Sequence, residues 1–431
     1  MVLLIAGDLV RSLVPRGFDR RLKLLSFVLF MNDFGRTLVT VYLPLYYLEL
    51  NASPLFIGIG ITISSGVSAL FQAVGGVLAD TWGRKKSMAL SMAARGVLLV
   101  MLSLSATLGP SFVTILILFT LSEATNGIFL TAANTMISDL VEEKRAAEGF
   151  GIYRVAINLG FTLGSLAGGL IVLYAVSIYI MTALVILNLA VTTVYLGETW
   201  STGKRSPKLG NMLSVSRDRI LLVFSIVSIG AGLLANQMGP TFALYTTQEV
   251  HISKQFLGYL YFLNGILVIL FQYAFSRLGL RYRLTSLMGI SVGVQSLSYL
   301  LVGFSQNLLL LQVVIVGLTI GEMLQAPSGT AFANRLAPYD KRGEYIGFYN
   351  WCWNSGQALS PMVGGLLLSI FATAEYLTWY VTFAIGGLCF AAYLAIGIVL
   401  RKSERPRSLA VGLAPEMDFR GAEDWSGLVR E

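Results

Sequence analysis

The chain has 431 residues, of which 55% are hydrophobic and only 13% are charged. A soluble domain carries about 25% charged residues, so this composition excludes an ordinary soluble protein and predicts one that is embedded in a membrane. The net charge is +8, and one histidine and two cysteines are too few for a histidine-based metal or catalytic centre or for a disulfide framework.

Charged residues and turn formers divide the chain into twelve apolar segments. Each has roughly the 20 residues that a helix needs to cross about 30 Å of hydrocarbon, and the sequence lacks the short alternating segments of a membrane β-barrel. In chain order the segments span residues 24–48, 54–79, 86–107, 111–137, 148–173, 176–197, 220–247, 254–276, 284–304, 307–334, 344–370 and 376–400.

These segments predict an all-α membrane protein with twelve transmembrane helices. The two halves correspond at a constant offset, which pairs Pro44 with Pro240 and Glu148 with Glu344. Such a repeat predicts two pseudo-symmetric six-helix bundles. The predicted parts are an N-terminal segment, a first bundle, a linker, a second bundle and a tail, at residues 1–23, 24–197, 198–219, 220–400 and 401–431.

Lysine and arginine are distributed unequally between the two sides that the segments define. Most lie in the N-terminal segment, in the loops that follow even-numbered segments, or in the tail, whereas in the loops on the other side only Lys254 is basic. Because cytoplasmic loops carry the excess of basic residues, both termini are predicted to be cytoplasmic, in a protein of the cell membrane. The basic charge therefore orients the chain in the bilayer and does not predict a nucleic-acid partner.

The turn between the second and third segments carries a recognisable pattern. Residues 76–86 read Gly-Val-Leu-Ala-Asp-Thr-Trp-Gly-Arg-Lys-Lys. This pattern resembles the loop between helices 2 and 3 in the major facilitator superfamily of secondary transporters. The resemblance implies a twelve-helix transporter of small solutes. It also implies a cytoplasmic gate formed by Gly76, Asp80, Gly83 and Arg84, with Asp139, that latches the two halves.

Small residues recur in the fifth and eleventh segments. Spacing of four places them on one helix face, so tight helix packing is one interpretation. The other is functional, because the pattern resembles the antiporter motif of proton-driven drug exporters, in which helix 5 has Gly-Pro before a final Gly-Gly pair. This chain departs from the motif, since its proline lies in the eleventh segment. The positions are Gly160, Gly164, Gly168 and Gly169 in the fifth segment and Gly356, Pro361, Gly364 and Gly365 in the eleventh.

Six charged residues lie well inside the predicted helices. A charge near the bilayer centre costs at least about 2.5–3.5 kcal/mol, so each is expected to pair with an opposite charge or to carry function. They are Asp33, Arg36, Arg95, Glu123, Arg154 and Glu322.

The three acids Asp33, Glu123 and Glu322 are the candidates for a proton-coupling site. The resemblance implies that segments 1, 4, 7 and 10 line the transport cavity, and these acids lie on segments 1, 4 and 10. Asp33 is one helical turn from Arg36, and we expect the two to pair locally. Glu123 and Glu322 have no basic residue within a turn. Such an acid can bind a proton on one side of the membrane and release it on the other as its hydration changes.

The remaining intramembrane arginines have different expected roles. In related antiporters an arginine often stands in helix 4, where this chain has Glu123. Arg154, in the fifth segment, is therefore the candidate cation partner that takes the place of that helix 4 arginine. Arg95 lies in the third segment, which is usually peripheral to the cavity in this fold, and it is expected to be structural.

Polar and aromatic side chains supply a candidate lining for the cavity. A mixed aromatic and amide surface suits amphipathic or cationic organic solutes. The candidates are Tyr42, Asn236, Gln237, Tyr245, Gln325, Asn350, Trp351 and Asn354.

We therefore predict a secondary transporter that moves a small organic solute by alternating access, with proton-coupled export of drugs or similar solutes as the first hypothesis. The alternatives are a proton symporter that imports a sugar, organic acid or peptide, a uniporter, and a transporter-like membrane sensor. The sequence has no nucleophile–base arrangement that would predict an enzyme. The expected partners are the solute, protons and the lipid bilayer, without a cofactor, a metal or nucleic acid, and the fold implies a functional monomer.

Overall fold

The computed structural model describes residues 19–141, 145–200, 215–338 and 341–404, except the side chains of 146–147 and 401–404. Over these ranges all the regular structure is helical. The prediction of an all-α membrane fold is confirmed. Most of the predicted N-terminal segment, linker and tail lies outside the described residues.

The helices follow the twelve predicted segments, and we number them accordingly, with letters where one segment forms two helices. They are α1a (Arg20–Thr40), α1b (Leu43–Glu49), α2 (Pro54–Trp82), α3 (Arg84–Leu108), α4 (Phe112–Leu140), α5 (Ala146–Leu170), α6 (Tyr174–Tyr195), α7a (Arg219–Ala235), α7b (Pro240–Gln248), α8 (Lys254–Arg281), α9 (Leu284–Gly303), α10 (Leu308–Leu336), α11 (Arg342–Ile370) and α12 (Leu377–Glu404).

By length and composition, 11 helical spans in the described ranges could cross a membrane. The remaining predicted segment is the eleventh, α11, which is 29 residues long but is not among those spans. Polar residues such as Asn350, Asn354 and Gln357 make it less apolar than its neighbours. The chain is therefore a multi-pass membrane protein.

The first and seventh segments are each broken into two helices, which the sequence analysis did not predict. The breaks come at Pro44 and Pro240, which are equivalent positions of the repeat. Proline has no amide hydrogen, and in a continuous helix its ring clashes with the carbonyl four residues earlier. Here the carbonyls concerned are those of Thr40 and Asn236. Both breaks border the space between the two halves.

The first six segments pack mainly against one another, and so do the last six. Two helix pairs join the halves: α5 packs along α8, and α2 packs along α11. Glycine allows both contacts, because a Cβ at Gly365 would overlap the carbonyl oxygen of Pro54, and one at Gly169 would lie 3.2 Å from Gly258 Cα. These contacts lie away from the turn at 83–86. We call the end that carries this turn the basic end, and the other the opposite end.

Candidate functional site

A cavity of about 500 Å³ lies between the two halves. Helices α1a and α5 bound it on one side, and α7a, α7b, α8, α9, α10 and α11 bound it on the other. Two acids face it, Asp33 from the first half and Glu322 from the second, and no lysine or arginine is among the described residues that line it. The cavity therefore combines apolar surface with two carboxyl groups from opposite halves.

Beside the cavity, the first half contains a buried charge network centred on Arg95, which is 1% exposed. Its Nη1 donates to Asn32 Oδ1 at 2.7 Å and to Asn126 Oδ1 at 2.6 Å, and its Nη2 lies 3.4 Å from Glu123 Oε1. Its Nε donates to Ser122 Oγ at 3.4 Å. A guanidinium carries five N–H donors in a planar fork, and this geometry lets one residue tie α1a, α3 and α4 together.

Glu123 is also bound by Arg36, whose Nη2 lies 2.9 Å from Glu123 Oε2 and whose Nε donates to the same oxygen at 3.0 Å. The expected local pair of Asp33 with Arg36 is therefore wrong, because Arg36 reaches across to α4. Arg154, the predicted substitute for the helix 4 arginine of related antiporters, is exposed, and the cations beside Glu123 are Arg36 and Arg95. Two guanidinium groups stabilise the ionised form of Glu123.

Asp33 is the acid of the first half that remains free to act in the cavity. It makes no ion pair with the described residues and lines the cavity wall opposite Glu322. It is held close to α5, because a Cβ at Gly160 would lie 3.0 Å from Asp33 Cβ. The small residue at 160 therefore lets a carboxylate sit at the junction of two helices.

Glu322 faces the cavity from α10, and its hydrogen-bond partner is an amide. Asn264 Nδ2 donates to Glu322 Oε2 at 3.1 Å and to Thr319 Oγ1 at 2.9 Å. No ion pair within the described ranges involves Glu322. The charges thus differ between the halves: the first has Asp33 and Glu123 with two arginines nearby, and the second has Glu322 without a cation.

Two of the eight predicted lining residues, Asn236 and Gln325, line the cavity. The other six do not. Tyr42 is buried and donates to the carbonyl of Ser165, Gln237 donates to the carbonyl of Ser360, and Tyr245 packs edge-on against Trp379.

The last three predicted lining residues, Asn350, Trp351 and Asn354, are exposed on α11 nearer the basic end. Sequence reasoning missed much of the real lining. The signal for it was helical spacing, since Trp353 and Gln357 share one face of α11 and both line the cavity. The residues missed are Asn158, Phe161, Tyr261, Asn264, Gln295, Trp353 and Gln357.

The predicted gate residues cluster around Arg84 at the basic end. Arg84 Nε lies 2.8 Å from Asp139 Oδ2, its Nη2 lies 3.5 Å from Asp80 Oδ1, and its Nη1 donates to the carbonyl of Ala79. Gly76 lies on α2, as Asp80 does, and a Cβ at Gly76 would lie 3.8 Å from the nearest atom. The gate residues all belong to the first half, and their role as a latch between halves stays a prediction.

A partner of this cluster that the sequence did not indicate is Glu198, just after α6. Its Oε1 accepts from the backbone N–H of Arg84 at 2.9 Å and of Lys85 at 3.3 Å, at the start of α3. Gly83 makes room for it, because its φ is 102° and a Cβ there would lie 2.5 Å from Glu198 Oε2. A carboxylate at a helix N-terminus satisfies free amide donors and the positive end of the helix dipole.

The small residues of α5 and α11 serve helix packing in the structure. Within the halves, the carbonyls of α1a approach Gly160, Gly164 and Gly168, while α7a and α7b approach Gly356 and Gly364. Across the halves, Gly169 meets α8, and Gly365 and the carbonyl of Pro361 meet α2. A direct role of these positions in antiport stays a prediction.

Contacts between the halves close the cavity at the opposite end. Lys254 Nζ on α8 donates to the carbonyl of Ile171 at the end of α5, 2.8 Å away, and lies 4.9 Å from the ring centre of Tyr42. Two further hydrogen bonds, from the amide of Leu55 to Ser369 and from the amide of Met362 to Thr62, join α2 to α11.

Two helical bundles around a central cavity that is closed at one end define the class of a membrane transporter fold. The family model of the Major Facilitator Superfamily matches residues 25–245 and 220–430. The two matches cover both halves of the repeat. The chain belongs to the Major Facilitator Superfamily.

Relatives resemble the chain along most of its length. An uncharacterised MFS-type transporter of Bacillus subtilis (strain 168), YttB, is 28% identical over 81% of this chain and 88% of its own. The Na(+), Li(+), K(+)/H(+) antiporter of Planococcus maritimus is 21% identical over 80% and 89%. The quinolone resistance protein NorA of Staphylococcus aureus (strain MRSA252) is 21% identical over 82% and 91%.

Among solved structures, the nucleoside transporter NupG has the same fold. It aligns with a TM-score of 0.76 over 88% of this chain and 99% of its own, at 16% sequence identity. At that identity the likeness shows the fold alone.

Proposed function

We propose that this chain is a proton-coupled antiporter that exports an organic solute by alternating access. The observation that carries the proposal is the pair of acids, Asp33 and Glu322, that face one cavity from opposite halves with no basic residue in its lining. An uncompensated carboxylate in a membrane interior is costly. A proton and a cationic solute each relieve that cost, so they compete for the same acids, and competition of this kind couples their opposite movements.

Glu123 has a different role in this proposal. Arg36 and Arg95 keep it ionised, so it stabilises the first half instead of exchanging protons. Asp33 lies beside this network and makes no ion pair with the described residues, and Glu322 is the acid of the second half. We therefore assign proton coupling to Asp33 and Glu322.

The solute that fits the cavity is an amphipathic organic cation. The two acids supply negative charge, Phe161, Tyr261 and Trp353 supply aromatic surface, and amides supply hydrogen bonds. Aromatic faces attract cations and stack on flat apolar groups. The relationship to the quinolone resistance protein NorA supports a drug-like solute.

The arrangement of the two ends supports an inward-facing state. The positive-inside rule places the basic end, and with it both termini, in the cytoplasm of a cell-membrane protein. The halves then meet at the outer end through Lys254, Leu55 and Met362. Both halves of the cavity wall come from one chain, which supports a functional monomer.

The test is flux in proteoliposomes that carry the purified protein and an imposed pH gradient, with fluorescent organic cations, sugars and amino acids as solutes. We expect a cation to move against the proton flow. Asp33→Asn and Glu322→Gln should abolish acceleration by the gradient while leaving solute binding measurable. Glu148→Gln is the matched control, because Glu148 is exposed at the basic end and paired with Arg145.

The other outcomes separate the alternatives. Movement of solute together with protons would make the protein a symporter, and movement that ignores the gradient would make it a uniporter. Binding without flux would make it a sensor. Retention of full coupling in both acid variants would refute the assignment of Asp33 and Glu322.

A further inference from the structure

Glu322 shares the cavity wall formed by α8, α9 and α10 with three amide side chains. Glu322, Asn264, Gln295 and Gln325 all line this wall, and three of the four carry amides. An amide offers either its oxygen or its NH₂ group to a cavity. Which atom each amide offers is decided by the hydroxyl groups behind it.

Gln325 is fixed with its oxygen free. Ser228 Oγ donates its only proton to the carbonyl of Phe224 at 2.8 Å, so it must accept from Tyr393 OH, 3.2 Å away. Tyr393 OH has then used its proton and accepts from Gln325 Nε2 at 3.3 Å. Gln325 Oε1 is left buried with no hydrogen-bond partner in the described part of the chain, on a residue that is 1% exposed.

Gln295 is fixed in the same way from α9. Ser291 Oγ donates its proton to the carbonyl of Gly321 at 2.7 Å and therefore accepts from Gln295 Nε2 at 3.1 Å. The oxygen of Gln295 is left as the free end of the amide. Gln295 is 3% exposed and packs against Gly321, where a Cβ would lie 2.9 Å from its Nε2.

Asn264 completes the wall and fixes the carboxylate. Thr319 Oγ1 donates to the carbonyl of Ile315 at 2.6 Å, so it accepts from Asn264 Nδ2, and the same nitrogen donates to Glu322 Oε2. Glu322 and Gln325 are three residues apart on α10 and share a helix face. Gly321, which Gln295 touches, is next to Glu322. One carboxylate and two amide oxygens are thus held on adjoining positions.

We propose that Glu322, Gln325 and Gln295 form a binding site for an alkali-metal cation, Na⁺ or Li⁺, in the second half of the protein. Carboxylate and carbonyl oxygens are the ligands that hard cations prefer. A monovalent ion balances the single charge of Glu322, whereas a divalent ion would leave an excess positive charge in the membrane interior. The orphaned oxygen of Gln325 gains the partner that the protein does not supply.

This inference rests on the proposed function in one respect, because the same carboxyl group exchanges protons there. Binding of the cation requires Glu322 to be ionised, so the ion and the proton exclude each other. The protein would then exchange an alkali cation for a proton at Glu322, with Asp33 left to the organic solute. The site therefore names a second coupling ion.

The experiment measures cation binding directly on the purified full-length protein in detergent. Thermal unfolding is followed at pH 8 while NaCl, LiCl or KCl replaces choline chloride at constant ionic strength. We expect a saturable rise in the unfolding temperature with Na⁺ or Li⁺ at pH 8. At a lower pH, where protons occupy Glu322, addition of the salt should release protons into a weakly buffered solution. The apparent affinity for the cation should fall about tenfold for each unit by which the pH is lowered, once protons occupy the site.

Variants locate the site. Glu322→Gln should abolish both the thermal shift and the proton release, and Gln325→Leu should weaken binding at least about fivefold. Gln312→Leu is the matched control, because it makes the same substitution on the same helix, α10, at a residue that does not line the cavity. If Gln325→Leu fails to fold, the proton release of Glu322→Gln decides alone.

Equal unfolding temperatures in all four chlorides, with no proton release, would overturn the cation site. Solute flux driven by a pH gradient could persist in that case, and the proposed function would stand. Conversely, cation binding without solute flux would refute the proposed function and keep the cation site. The two failures are therefore distinguishable.

Discussion

Lys254 Nζ donates a hydrogen bond of 2.8 Å to the carbonyl oxygen of Ile171 and thereby joins α8 of the second half to the end of α5 in the first. The ammonium group also lies 4.9 Å from the ring centre of Tyr42 and 5.9 Å from that of Tyr174. The carbonyls at a helix C-terminus are free acceptors at the negative end of the helix dipole. This lysine is thus one of the contacts that join the halves at the end opposite the basic turns.

Lys254→Met should open that end more often. A hydrogen bond to a charged group contributes about 1.5–3 kcal/mol, so its loss changes the ratio of closed to open forms at least about tenfold. The measurement is the labelling rate of Asn236→Cys by an impermeant maleimide added from the outside, with Cys352 and Cys389 replaced by alanine. Lys341→Met, at the exposed basic end, is the control. Equal labelling rates in the Lys254→Met and Lys341→Met variants would contradict this role of Lys254.

Gly58→Ala should weaken the same closure from another helix pair. A Cβ at Gly58 would overlap the carbonyl oxygen of Pro361, so α2 and α11 could not approach as closely. Gly66→Ala is a matched control on the same helix, because nothing lies within 4 Å of its Cβ position. In Gly58→Ala, but not in Gly66→Ala, we expect the maleimide added from outside to label Asn236→Cys faster, and transport to be slower. A wild-type rate for Gly58→Ala would show that the contact does not limit closure.

Glu123→Gln should destabilise the first half strongly. The substitution leaves Arg36 and Arg95 around a neutral amide, and removal of one partner of a buried pair costs about 3–5 kcal/mol. Glu148→Gln breaks an exposed pair, which contributes about 0–1 kcal/mol. The free energies of unfolding of the two purified variants give the comparison. Similar values for both would mean that the network around Arg95 contributes little.

Gly83→Ala should destabilise the turn before α3 for two reasons. A φ of 102° is strained for any residue with a Cβ, and that Cβ would lie 2.5 Å from Glu198 Oε2. We expect a loss of about 1–3 kcal/mol of unfolding free energy. Gly109→Ala, at the other end of α3, has open space and an extended backbone, with a φ of 179°, and should change little. A larger effect at Gly109 would argue against this explanation.

Glu375 should make stability depend on pH. Burial, and then the nearby charge of Glu249, raise the pKa of this carboxyl from its ordinary value of 4.5 to about 7 in the folded protein. Between these values the unfolded chain has lost the proton and the folded chain keeps it, so stability falls as the pH rises from about 4.5 to about 7. Glu375→Gln should flatten that part of the curve, which thermal unfolding across pH 4–8 would reveal. An unchanged curve would refute the assignment.

The sequence by itself determined the class of fold and the helical segments. These features are local, because a helix that crosses a membrane must satisfy its own backbone, and the apolar length therefore marks each span. The repeat pairs Pro44 with Pro240, and the structure shows that a helix breaks at each of these prolines, which the sequence analysis did not predict. Asp80 near the end of α2 and Arg84 at the start of α3 lie on either side of one short turn, and they are in contact in the structure.

Only the tertiary structure decided which charges meet. Arg36 lies one turn from Asp33 in sequence but binds Glu123 on another helix, and Arg95, from a segment expected to be peripheral, reaches the same carboxylate. The free oxygen of Gln325 depends on Ser228 and Tyr393, which come from two other helices. A long side chain such as that of arginine can bridge the gap to a neighbouring helix, so pairing follows from helix packing, which the order of residues in each segment does not specify.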